Sequence, residues 1–285
     1  MTVQLDTYIQ QQLNTITDTS DFMQFYKKNV ALFRQYTTAN YLKLAQRLKN
    51  GTGIIQSYSD TLNYMVLYGG FLYQCFDATT QHIFQEYEMN ICSSKPICLV
   101  DYACGQGSAS LVMMDRIMQN HPDIQSLHIT LIEPSSFSIQ RAKQLVLAKA
   151  QHYGIKVSVN CYNCTFDQLS AQFLNHAENQ QIFHLFANIL DLYDFGGFDL
   201  HQLVHKIKTV SAQHTLIAMS TKHPKSFESD DTLGFHMIHQ LINPDHPLLG
   251  TQLNIKNVQY YKHSYNYRCM VTENKNMLVY ACQWS

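Results

Sequence analysis

The chain has 285 residues, 46% of them hydrophobic and only 14% charged, with 20 Lys+Arg against 21 Asp+Glu for a net charge of −1. That apolar content excludes general disorder and calls for a sizeable core, while the near-zero charge supplies no global field toward nucleic acid or a membrane. The eight cysteines are scattered through apolar runs, Met1–Asp6 has no basic and apolar leader, and no apolar run reaches about 18 residues; the expectation is a cytoplasmic protein with reduced thiols.

Residues 1–95 read as helical. Bulky apolar side chains at Phe22, Phe25, Tyr26, Phe33, Tyr36, Tyr41, Leu44 and Leu48 recur at three-and-four spacing. They predict one helix over Asp21–Asn50, capped by Ser20 and stopped by Gly51. Ser57-Tyr58-Ser59-Asp60 is an S-x-x-D capping pattern that opens a second helix running to Phe76, interrupted at Gly69-Gly70. A third run covers Thr79–Asn90.

After Pro96 short apolar runs alternate with amphipathic segments. The runs are Ile97–Val100, His128–Ile132, Lys156–Cys161, Ile182–Phe186, Thr215–Met219, Tyr260–Arg268 and Met277–Cys282. The helical segments between the first five are Ala109–Gln119, Ser136–Tyr153, Asp167–Leu174 and Asp199–Lys208. Strands alternating with helices predict an α/β, doubly wound, mostly parallel sheet of seven strands. Val271–Asn276 is short enough to turn the last two runs into an antiparallel hairpin.

The richest stretch is Asp101-Tyr102-Ala103-Cys104-Gly105-Gln106-Gly107-Ser108. A buried strand ends in an acid, turns through two glycines that permit positive φ and close approach, and opens a helix whose N-terminus presents free N–H groups. The second strand ends in Ile132-Glu133-Pro134, setting a carboxylate where ribose hydroxyls are held. A dinucleotide fingerprint needs a third glycine where Ser110 stands.

These residues resemble the class I S-adenosylmethionine-dependent methyltransferases. Asp101-x-Ala103-Cys104-Gly105-x-Gly107 is similar to their first motif, and Glu133 falls at the position of their ribose-binding acid. The resemblance covers residues 96–285 and implies S-adenosyl-L-methionine as cofactor, a Rossmann-like domain, and a carboxy-terminal hairpin supplying the sixth and seventh strands. It also implies that Thr165 and Phe166 border the adenine, and that Asn188 and Ile189 lie beside the transferring methyl. The gap from Gly107 to Glu133 is longer than usual in that family, so an extra loop is expected at His121–Ser126.

The acceptor is read only by elimination. Asn188-Ile189-Leu190-Asp191 stands where an amino-methyltransferase carries N/D-P-P-Y/F, and no cysteine lies there for cytosine C5 chemistry. Residues 51–94 contain no Lys or Arg but carry Tyr58, Tyr64, Tyr68, Phe71, Tyr73 and Phe76. That makes this stretch a poor phosphate cradle, and residues 1–95 a candidate lid over a small-molecule acceptor, with Tyr64 and Tyr68 as pocket residues. Lys256, Tyr260, Tyr261, Lys262, Tyr265, Tyr267 and Arg268 form a basic, aromatic patch, read as a charged edge strand in preference to an RNA surface.

His201 and His205, His236 and His239, and Cys161 and Cys164 have ligand-like spacings, but none completes a metal or redox motif. The expected partner is a small-molecule acceptor in preference to nucleic acid, without a membrane; a homodimer stays open, and no catalytic base is assigned. The alternatives are an RNA- or protein-directed methyltransferase, a module that binds the cofactor without transferring anything, and an NAD(P)-dependent oxidoreductase.

Overall fold

The computed structural model describes residues 2–37, 41–49, 52–87, 91, 95–190, 193, 197–221, 233–244, 246–263 and 268–285. Three-and-four apolar spacing folds α2 (Phe22–Tyr36) after a first helix, α1 (Thr2–Thr15). Asp21, not Ser20, caps α2, its carboxylate accepting the Gln24 N–H at 3.0 Å, while Ser20 turns its N–H and hydroxyl onto Asp18. The single helix expected to Asn50 divides here. Thr37 is extended, as suits a β-branched residue, its N–H closes the last turn on Phe33, and α3 (Tyr41–Arg47) starts anew.

Helix α4 (Tyr58–Tyr64) opens as its capping pattern predicts, with the Ser57 hydroxyl accepting the Asp60 N–H; Asp6 of α1 takes the N–H groups of Tyr58 and Ser59. No break follows at Gly69-Gly70. The helix runs through a π-helical turn, Met65–Gly69, into α5 (Gly70–Glu86), so the expected third segment is the tail of the same helix. Tyr26 explains the turn. Its hydroxyl donates to the Val66 carbonyl (2.7 Å) and accepts the Tyr261 N–H (2.9 Å), and a Cβ on Gly70 would fall 2.3 Å from its Cζ. Glycine is there for close approach, and the bulge frees a carbonyl that the tyrosine occupies.

The strands follow as β1 (Ile97–Tyr102), β2 (Ser126–Ile132), β3 (Lys156–Tyr162), β4 (Gln181–Ala187), β5 (Gln213–Thr221), β6 (His246–His263) and β7 (Arg268–Trp284). Helices α6 (Ser108–Asn120), α7 (Ser136–Tyr153), α8 (Leu200–Lys208) and α9 (Leu233–Ile242) are interleaved with them. The seven described strands form one sheet in the order β3-β2-β1-β4-β5-β7-β6, parallel through β5, with β7 antiparallel to both neighbours. The carboxy-terminal hairpin therefore supplies the sixth and seventh strands. Asp167–Leu174 is not the expected helix but a series of turns ahead of a 3₁₀ turn at Asn175–Ala177. Gln168 binds the Thr165 N–H and Ser170 binds the Gln172 N–H, local bonds that compete with helical ones.

Nor does Val271–Asn276 turn the hairpin. The last pair is His263 with Arg268, and residues 271–276 lie inside β7. Their polarity has a partner on the neighbouring strand: Lys262 and Lys275 and the Tyr260 hydroxyl all bond Glu273, with the Lys275 ammonium 4.4 Å from the Tyr260 ring centre. Of the cations in the basic patch, Lys262 is thus held against Glu273. Tyr265 and Tyr267 lie outside the described residues.

Every residue of β1 is buried, because both faces of the sheet are covered. On one face Leu99 and Leu131 join Leu111, Ile117 and Val146 of α6 and α7; Phe25, Phe33 and Phe76 of the amino-terminal helices belong to that same core. Two buried cations of α7 fasten those helices: Arg141 donates to the carbonyls of Leu13 and Ile16, and Lys149 to that of Thr19. On the other face Val100, Tyr102 and Phe186 pack with Leu203 and Ile207 of α8 and Ile238 of α9. No helix among the described residues is long and apolar enough to cross a membrane.

That second face carries a buried polar chain. The Val210 carbonyl can only accept, so His214 presents Nε2–H to it (3.1 Å) and accepts at Nδ1 from His184 Nε2 (2.9 Å). His184 Nδ1 then accepts the Tyr102 hydroxyl (2.9 Å), and Trp284 stacks on both imidazoles. Burial holds both histidines below their ordinary value of 6.5. Depressed pKa values mean that the unfolded chain takes up protons first as the pH falls, so this chain of bonds stabilises fully above 6.5 and loses its contribution below it. In urea unfolding, the advantage of the natural chain over His184→Gln should shrink between about pH 8 and about pH 5.5; a constant difference would contradict the neutral assignment.

Candidate functional site

In an open α/β sheet a ligand crevice forms at the carboxyl ends of the strands where the order reverses. Here β1 lies between β2 and β4, and the Asp101–Gly107 turn sits at its carboxyl end. The backbone is left-handed at Ala103 (φ +51), Gly105 (φ +51) and Gly107 (φ +79). Gly105 has open space at its missing Cβ, whereas a Cβ on Gly107 would come within 3.1 Å of Ala142 on α7. The second glycine is therefore needed both for its φ and for the approach of two helices.

Two carboxylates brace the turn. One Asp101 oxygen accepts both the N–H (3.0 Å) and the hydroxyl (2.8 Å) of Ser110 in the first turns of α6. Glu133 accepts the Gly105 N–H (3.1 Å) with one oxygen and the Ser135 N–H (2.9 Å) with the other. The Cys104 N–H bonds the Ile132 carbonyl, completing the seam between turn and second strand. Burial pushes the Asp101 carboxyl up to about 7, against the pull of Ser110 and with a smaller push from Glu133. Glu133 is raised as well, again mainly by burial, although the Ser135 and Gly105 N–H groups oppose it.

Above the turn a cleft of about 40 Å³ separates it from a helical wall of Tyr64, Met65, Gly69, Leu72 and Phe76. Asp101, Ala103, Cys104, Gly105, Gln106, Ser108 and Ala109 form the floor, and Ala187 the far side. No Lys, Arg or His is among the described residues that line it, so Asp101 meets no countercharge from the cleft wall. Such a site favours a cation and opposes a pyrophosphate. A wider depression of about 520 Å³ opens around Lys95, Gln213 and Trp284, at the amino ends of the parallel strands and away from the switch point.

The structure brings Asp101, Ala103, Cys104, Gly105, Gly107 and Glu133 together, with half-buried Pro134 next in the chain. Tyr64 lines the cleft, and the Tyr68 ring lies 5.3 Å from its ring. Thr165 is exposed. Phe166 points into the other layer, edge-on to Tyr102 and Phe198, and Ile189 is buried in that same layer. Asn188, at φ +61, turns its carbonyl oxygen to the N–H and hydroxyl of Thr221 and so ties the end of β4 to that of β5. Asp191 lies outside the described residues. His201 and His205 are exposed on α8, and His239 Nδ1 is hydrogen-bonded to the Tyr280 hydroxyl.

Two participants have no generic signature in sequence. Ser110 reads only as a missing glycine, yet it is what holds Asp101. Gln106, one of the motif's free positions, is 4% exposed and donates its amide to the Thr61 carbonyl of α4 at 2.9 Å. A buried amide between two glycines is the only hint of that role.

No family model and no curated protein matches the chain. Solved structures share parts of its arrangement. One is a magnesium protoporphyrin IX methyltransferase from Synechocystis with bound S-adenosylhomocysteine, at 10% identity and a TM-score of 0.41 over 90% of this chain and 100% of that one. Another is described as a class I S-adenosylmethionine-dependent methyltransferase from Listeria monocytogenes, at 10% identity and TM-score 0.36 over 96% and 88%. A third is a 16S rRNA adenine N1-methyltransferase from Catenulisporales acidiphilia, at 10% identity and TM-score 0.38 over 74% and 90%. Likeness of this degree assigns neither substrate nor activity.

Proposed function

We propose that the chain is an S-adenosyl-L-methionine-dependent methyltransferase that acts on a small-molecule acceptor. The observation that carries this reading is the left-handed turn at the switch point, braced by two buried carboxylates, beside a cleft with no Lys, Arg or His among its described lining residues. The donor set suits a ligand with net positive charge. The cofactor, when bound, supplies a methyl group on a sulfonium, activated for in-line displacement. A cleft of 40 Å³ is far below the roughly 300–1,000 Å³ of ligand pockets, so turn and wall part to admit it.

Within this reading Asp101, Ala103, Cys104, Gly105, Gly107, Glu133, Pro134, Thr165, Phe166, Asn188 and Ile189 belong to the cofactor side. Asp101 and Glu133 offset positive charge, and the Glu133 oxygen now on Gly105 is the one a ribose diol would share. Tyr64 and Tyr68 belong to the acceptor side, where residues 1–95 act as a lid: Leu72 and Phe76 exclude water, and alignment with excluded water is most of what such a displacement needs. The apolar wall, in a stretch without Lys or Arg, favours a neutral small molecule over a polyphosphate chain.

Isothermal titration with S-adenosyl-L-methionine, S-adenosylhomocysteine, NADH and NADPH tests the reading. Heat with the adenosyl sulfur ligands alone is the expected result. Binding of a nicotinamide cofactor alone, or of none of the four, would overturn it. Glu133→Ala should weaken cofactor binding by about 1–3 kcal/mol in the same titration, the range for a lost charge-assisted hydrogen bond; unchanged affinity would remove Glu133 from the cofactor side.

A further inference from the structure

We propose that Gln106 is a positioning residue that couples the glycine turn to the helical wall, so that a ligand seated on the turn sets the placement of Tyr64 and Met65. The inference rests on the cofactor reading above. Side-chain hydrogen bonds from Ser135, Tyr58 and Gln106 join the segment Ile55–Tyr64 to the sheet domain near the site. Ser135 donates its hydroxyl to the Ile55 carbonyl (2.8 Å), and Tyr58 its hydroxyl to Gln140 (3.1 Å); these lead to α7. The Gln106 bond leads to the turn itself, and it is buried.

Its acceptor is the sensitive point of the wall. The Thr61 carbonyl also receives the Met65 N–H, where the α-helical bonding of α4 passes into the π-helical turn. A shift of the turn pulls on the carbonyl at which the helical register changes. The wall is fixed beyond that junction by Tyr26 on Val66 and before it by Asp6 on Tyr58 and Ser59. What lies between, Thr61–Met65, carries Tyr64 and Met65 into the cleft. Since the cleft must widen for any cofactor, the Gln106 bond either breaks or carries the wall with it. A donor enclosed at 4% exposure has little water to turn to, which favours the second course.

Hydrogen exchange decides this, with the natural chain, Gln106→Ala and Gln106→Glu each measured free and saturated with S-adenosylhomocysteine, occupancy being set by calorimetry. Gln106→Glu keeps the shape and removes the donor. In the free chains, amides of residues 61–66 should exchange about fivefold faster in both variants, the factor carried by one net hydrogen bond. With ligand, residues 103–111 should gain protection in all three, and residues 61–66 only in the natural chain. Equal wall exchange in the free chains, or equal wall protection by ligand in the variants, would overturn the coupling. If S-adenosylhomocysteine binds none of the three, the cofactor reading fails, and the free-chain comparison still decides whether Gln106 holds the wall.

Discussion

Lys149→Met should lower the free energy of unfolding by about 3–5 kcal/mol, the range for removing one partner of a buried ion pair. The Lys149 side chain is 1% exposed and its ammonium lies 2.7 Å from Asp115, on α6, while also donating to the Thr19 carbonyl. Tyr73 of α5 and Tyr153 of α7 both donate to the same carboxylate. One substitution thus removes the countercharge where the amino-terminal helices meet the sheet's own. Methionine fills most of the volume, so the loss is electrostatic in origin. A urea midpoint within experimental error of the natural chain's would show that the carboxylate is satisfied by the two tyrosines alone.

Gly107→Ala should combine two costs at one position: a left-handed residue with a Cβ, about 1–2 kcal/mol, and a contact of 3.1 Å with Ala142, about 1–3 kcal/mol if α7 does not yield. Gly105→Ala bears only the first, because the space beside Gly105 is open. The expected order in urea unfolding is natural chain, Gly105→Ala, Gly107→Ala. Cofactor affinity should fall more steeply at position 107, since moving α7 also moves Ser135, which holds Glu133. Equal effects of the two substitutions would remove the helix contact from the account.

What was legible in the sequence is what local chemistry dictates. Helix α7 is expected and found over Ser136–Tyr153, because Ser135 caps one end and Gly154, at φ +67, the other. The turn after β1 is legible for the same reason: an acid, two glycines and a helix start follow in a few residues. What failed depends on distant partners. The bulge at Gly69 answers to Tyr26, and the polar stretch Val271–Asn276 is strand because Glu273 meets Lys262 across the hairpin.

The candidate site divides along that line. Asp101, Gly105, Gly107 and Glu133 gather because β1 and β2 are neighbours in the sheet, a consequence of the alternating pattern. Phe166 and Ile189 follow connections without regular structure of their own, and their side chains turn into the second core layer. Gln106 and Ser110 stand in positions a motif leaves free. Their roles emerge only when α4 is laid over the turn and when Asp101 turns inward to α6.

The central claim is that the turn from Asp101 to Gly107 receives a sulfonium cofactor. Irradiating the chain with methyl-tritiated S-adenosyl-L-methionine and mapping the labelled peptide tests that most directly. The account predicts label within Ala103–Ser108 or on the facing wall at Tyr64–Met65, suppressed by S-adenosylhomocysteine. Label confined to the depression around Lys95 and Trp284, or label at the turn that S-adenosylhomocysteine does not displace, would contradict it.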